Sequence, residues 1–199
     1  MPDYLKPEEL EALRRWPTCA IANAIELFNI RPRNQGFMLP EIKCVFPDLG
    51  PMIGYAVTAV ITAESPDGRK VQPAEWWENM QTIPKPRVLV MHDLDEMREL
   101  GFHAFSSCVT VSHAYVHMVD MGIPVKVGGL VVKPGDLVVG DKHGVISVPL
   151  EIARDVPKAA QLVEDWERTV IHFCKSKEFT IDGLKERYNS PRPTWPHKK

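Results

Sequence analysis

The stretch VKVGGLVVKPGDLVVGDKHGVISVP, residues 125–149, decides the fold. Its β-branched runs are cut by K-P-G-D and by D-K-H-G, compositions that favour turns over continued strand. Three short β-rich runs separated in this way predict a meander. Pro134 and Gly135 suit the two central positions of a type II turn, because proline presets the first φ and glycine tolerates positive φ at the second. After Pro149 the pattern turns helical, with Leu162, Val163, Trp166, Val170 and Phe173 on one stripe and Pro157 breaking or starting the run.

Upstream of the meander, GYAVTAVITAE (54–64) has the apolar, β-branched content of a strand buried on both faces, and S-P-D-G at 65–68 reads as a turn. AEWWENM predicts a short helix, and RVLVM (87–91) a second buried strand. At the front, Pro7, Glu8 and Glu9 open an amphipathic helix, with proline and acids where the free N–H groups favour them. Thr18 reads as the cap of a second helix, in which Ile21, Ala24, Ile25 and Phe28 share a face suited to covering a sheet. Helices first, strands in the middle and a long helix at the end give an α+β layered domain. Residues 1–188 form that single domain, and the Pro-rich stretch 189–199 is expected to be a loose tail with Trp195 as its only anchor.

The chain has 199 residues, enough to bury a core without staples. Its 24 Lys+Arg against 26 Asp+Glu leave no basic footprint, which argues against nucleic acid as a direct partner. The charged N-terminal stretch and the lack of any long apolar run predict a soluble, cytoplasmic protein without membrane contact. Cys19, Cys44, Cys108 and Cys174 lie far apart and read as buried free thiols rather than a zinc or redox pair.

Taken in order, GYAVTAV, VLVMHDLDEMRELGFHAF, the stretch VGGLVVKPGDLVVGDKHGVISVP and the helix after it resemble one family. It contains the metal-dependent 4-hydroxy-4-methyl-2-oxoglutarate aldolases, related oxaloacetate decarboxylases and the protein regulators of ribonuclease activity, and many of its members are mislabelled as dimethylmenaquinone methyltransferases. The resemblance covers most of residues 15–175. It implies an α/β/β sandwich that assembles as homotrimers or homohexamers, with sites between subunits. In the family's aldolases an Arg-Asp pair ends a strand ahead of a short acidic helix. That pattern is matched here by His92-Asp93-Leu94-Asp95-Glu96-Met97, with His92 in place of the arginine. A guanidinium grips a carboxylate bidentately, whereas an imidazole cannot. The chain also runs from RVLVMHDLD straight into EMRELGF, as though a strand-helix-strand segment had been removed between two similar D-L-D sequences.

The resemblance assigns Asp93 to a divalent cation, Mg²⁺ or Mn²⁺, and His92 to the substrate or a metal-bound water. From the residues alone, Asp93-Leu94-Asp95-Glu96 is also the D-x-x-E of a capping box closed by Gly101, and both roles stay open. Asp141 and His143, in the meander's tight turn, are candidates for a substrate-binding cleft wall as well as ordinary turn residues. His113 and His117 have the spacing of one helix face and suit packing or subunit contact better than a metal, since no Glu follows the first. Two functions follow from the resemblance. One is a metal-dependent lyase of the pyruvate-aldolase type acting on a small 2-oxo diacid. The other is a non-catalytic oligomeric regulator or an inactive relative, favoured by the loss of the arginine and of the family's Gly-Glu helix.

Overall fold

The computed structural model describes residues 3–62, 64–65, 67–89, 103–106 and 115–196. Helix α1 (Pro7–Arg14) starts at its proline, and Glu9 reaches back to the Lys6 amide at 2.7 Å. Helix α2 (Thr18–Glu26) follows and buries Thr18, Ile21, Ala24 and Ile25, with Phe28 just beyond it. The expected face is the one that packs. Thr18, however, is the first helical residue and not the cap; Pro17 takes the cap position and has no side-chain acceptor to offer.

Strand β1 (Lys43–Cys44) precedes β2 (Met52–Ala56) and β3 (Ala59–Thr62). The run expected as one doubly buried strand is therefore two. β2 is almost wholly buried, while Val60 and Ile61 of β3 stand exposed, because the chain leaves the main sheet at Val57 and Thr58. Helix α3 (Pro73–Gln81) then leads to β4 (Arg87–Val88), which pairs parallel with β2. Short β5 (Phe105–Ser106) pairs with β1, and β6 (His117–Met121) pairs antiparallel with β3 across a bulge at Val60 and Ile61. His117 thus lies on a strand, so the helix-face pairing with His113 does not arise there; His113 itself is outside the described residues.

The first run of the decisive stretch is itself folded in two. β7 (Val125–Val127) and β8 (Leu130–Val132) form a hairpin through Gly128 and Gly129, both at positive φ, as a two-residue turn of this kind requires. Gly135 has φ +83°, the positive value that the Pro134-Gly135 pair predicts. β9 (Leu137–Asp141) and β10 (Gly144–Val148) close the next hairpin, and β9 joins β2, giving a four-stranded sheet in the order β10-β9-β2-β4.

Helix α4 (Val156–Cys174) lies along α2. Pro157 starts it rather than breaking it. Its buried stripe runs through Val156, Ala159, Ala160 and Phe173, and Leu162 falls outside the stripe at 40% exposure. The alanines let the two helices approach while the α1, α2 and α4 faces cover one side of the sheet, where Tyr55, Leu13, Ile21, Val139 and Val148 are fully buried. A smaller apolar cluster of Ala56, Leu130, Val132, Val138 and Val145 fills the other side.

Helix α5 (Ile181–Tyr188) is capped by Thr180, whose hydroxyl accepts from the Gly183 amide at 3.1 Å. The stretch after it is not left without contacts. Trp166 donates to the Ser190 hydroxyl, Arg192 lies over the Trp166 ring, and the Trp195 ring sits 5.0 Å from that of Phe28. Trp195 is the anchor the sequence named, and it docks on the main core. Among the described cysteines, Cys44 is half-buried, whereas Cys19 and Cys174 are exposed rather than buried, since each falls on the outer face of its helix.

Candidate functional site

Asp141 ends β9, and the two-residue turn Lys142-His143 returns the chain into β10. The turn points the carboxylate toward the start of α2. It accepts from the Thr18 amide at 2.9 Å and from the Thr18 hydroxyl at 2.7 Å. It also accepts from the His143 amide at 2.8 Å, and the His143 Nδ1 lies 3.2 Å away. Burial alone would push this carboxyl up; the hydrogen bonds from Thr18 and His143 outweigh it and hold Asp141 below the usual carboxylate range. Since Pro17 brings no acceptor, Asp141 acts as a cap supplied from 123 residues away in the chain, where the helix end favours an anion.

Asp141 and His143 are therefore brought together, as the sequence suggested, but around a helix terminus. Both carboxylate oxygens are engaged by Thr18 and His143. Its negative charge is felt nearby. Burial first, then the charges of Asp141 and Asp48, raise the Cys44 thiol against a lowering hydrogen bond at Phe46.

A cavity lies on the opposite side of the sheet, just past the C-terminal ends of the parallel strands β2 and β4. Its volume is about 200 Å³. Ala56, Val57 and Thr58 leave β2 into its wall, and Val88 and Leu89 do the same from β4. The β7–β8 hairpin roofs it with Val125, Val127 and Val132. Crevices at the carboxyl ends of parallel strands are the ordinary place for ligands in open sheets. Among the described residues two polar groups interrupt the apolar lining, Thr58 and His103. The Thr58 hydroxyl and both His103 ring nitrogens are closed off from solvent and have no hydrogen-bond partner. Neither residue stood out in the sequence beyond being a lone polar letter in an apolar run.

His92 and Asp93, the residues the resemblance assigns to chemistry, lie outside the described residues, as does the junction where the family's strand-helix-strand would stand. Among the described residues no group of three or more His, Cys, Asp or Glu side chains is arranged to hold a metal ion. No helix among them is long and apolar enough to cross a membrane.

Mixed sheets of this order, helices on one face and a long helix after the last hairpin define an α+β fold. The same fold is seen in an uncharacterized protein from Pseudomonas syringae pv. tomato, at TM-score 0.66 and 19% identity over 94% of this chain and 97% of that one. It is seen again in RraAS2 of Streptomyces coelicolor, an unusual member of the RNase ES inhibitor RraA protein family, at TM-score 0.62 and 21% identity over 83% of this chain and 98% of that one. An uncharacterized protein of Methanocaldococcus jannaschii is 25% identical over 171 residues, 77% of this chain and 82% of its own. Residues 90–147 match the RraA-like family model, described as Aldolase/RraA. Over that stretch the chain is similar to the RraA-like family.

Proposed function

We propose that this chain works by binding, as an oligomeric family member of the regulator type, and not by metal-dependent cleavage. One observation carries the reading. Among the described residues β3–β6 and β7–β8 are two-stranded ribbons set apart from the main sheet, and Val60, Ile61 and Val131 stand on them at 36%, 42% and 54% exposure. Ribbons of two strands are marginal in water unless a further surface covers them. Tyr115, next to β6, is also 59% exposed. Apolar and aromatic surface of this kind on short ribbons suits a protein–protein contact, with further copies of this chain as the first partners. The trimers or hexamers implied by the resemblance would cover it. Sedimentation at micromolar concentration tests the reading: species of three or six subunits are expected, and a lone 22.5 kDa species contradicts it.

A second reading, the pyruvate-type lyase, has its own support. The RraA-like match begins at Val90 and so includes His92 and Asp93, which follow β4 in the chain, and the cavity lies at the ends of β2 and β4. A Mg²⁺ or Mn²⁺ ion would serve such chemistry as a Lewis acid on a 2-oxo diacid. Of the described residues Asp141 is engaged at the start of α2, while His92 and Asp93, which the resemblance assigns to that ion, lie outside the described residues. The described part of the cavity lining holds no Lys or Arg to pair with a dianion.

A further inference from the structure

The cavity beneath the β7–β8 hairpin combines three properties that together define a ligand. Its size is about 200 Å³. Apolar protein cavities of about 150 Å³ already admit benzene, so there is room here for a six-membered ring with one or two small substituents. Its walls include Met38 and Met52, whose thioethers offer contacts to an aromatic face and edge. Finally, its polar groups are unsatisfied: Thr58 is 3% exposed, and its hydroxyl and the two His103 nitrogens have no partner.

A buried donor or acceptor without a partner bears its full desolvation cost. A hydroxyl on the ligand meets both needs at once, because it donates through its hydrogen and accepts through its lone pairs. Among the described lining residues there is no Lys or Arg to hold a carboxylate or phosphate and no Asp or Glu to hold an ammonium. We propose that this cavity is a binding site for a small uncharged phenol, its ring among the Met and Val side chains and its hydroxyl on Thr58 and His103. The proposal stands apart from the assembly reading, since every residue it uses belongs to one chain.

Calorimetric titration of the full-length protein with p-cresol, toluene and benzoate tests it. p-Cresol is expected to bind with a dissociation constant below millimolar, toluene at least fivefold more weakly because it leaves the buried polar groups unpaired, and benzoate not measurably. Thr58→Val should weaken p-cresol at least fivefold while leaving toluene unchanged or tighter, and Thr58→Ser should restore p-cresol. Equal affinity for p-cresol and toluene on the unaltered protein would overturn the hydroxyl assignment without recourse to any variant. Failure of all three ligands to bind at millimolar concentration would overturn the site itself.

Discussion

Replacing Asp141 with alanine tests the long-range cap. The substitution removes the acceptor of the Thr18 amide and hydroxyl and of the His143 amide, and Thr18 is 6% exposed, so water cannot readily replace the loss at that end. Hydrogen bonds to a charged group each contribute about 1.5–3 kcal/mol, and losing a helix cap costs about 1 kcal/mol. These overlap, since the Thr18 bonds are the cap, so we expect Asp141→Ala to cost about 3–4 kcal/mol. Asp141→Asn keeps an acceptor without the charge and should cost about 1–2 kcal/mol. Thr18→Val, which removes only the hydroxyl, should cost about 1–2 kcal/mol, and the double variant should reveal a coupling near 1 kcal/mol. Urea unfolding followed by circular dichroism, at fixed protein concentration, measures all four. The acid side gives an independent check. Asp141 has a lowered pKa in the folded chain, so the unfolded chain binds more protons there. Its stabilisation is complete above the ordinary aspartate value of about 3.9 and is lost as the pH falls through the lower folded value. Asp141→Asn should lack that part of the pH dependence. An Asp141→Ala protein within about 0.5 kcal/mol of wild type would refute the capping role.

The hairpin and the tail give two further expectations. Gly128→Ala should cost about 2 kcal/mol or more in urea unfolding, because φ is +50° and the new Cβ would stand 2.6 Å from the Ile42 side chain; a neutral result would mean that the turn repacks freely. Trp195→Ala should cost about 1–2 kcal/mol through loss of the Phe28 contact, which is more than the loose tail read from the sequence would allow; an unchanged melting temperature would restore that reading.

How far the fold was legible can be traced residue by residue. The α2 face of Ile21, Ala24 and Ile25, the Pro134-Gly135 turn and the long final helix follow from local chemistry, because periodicity and turn residues act over a few positions. The split at Val57-Thr58 escaped notice since β-branched letters continue unbroken from one sheet into another. The Gly128-Gly129 hairpin has a local signal, since Gly-Gly between apolar runs marks a two-residue turn, but the β-branched letters on both sides also suit one continuous strand. Asp141 and His143 stand out in the sequence as turn residues, and their contact with the start of α2 depends on Thr18, far away in sequence. A proline at the cap position, with no acceptor of its own, was the available hint. Thr58 and His103 matter because of what fails to surround them, which no local pattern encodes.

Pyruvate release from oxaloacetate and from 4-hydroxy-4-methyl-2-oxoglutarate, followed with and without added Mg²⁺ or Mn²⁺, tests the choice between binding and catalysis most directly. The account predicts no pyruvate above the rate without protein under any metal condition, and no gain in wild type on adding the ion. Metal-dependent release that disappears in Asp93→Asn, a change that leaves helix capping nearly intact, would contradict it and establish the lyase.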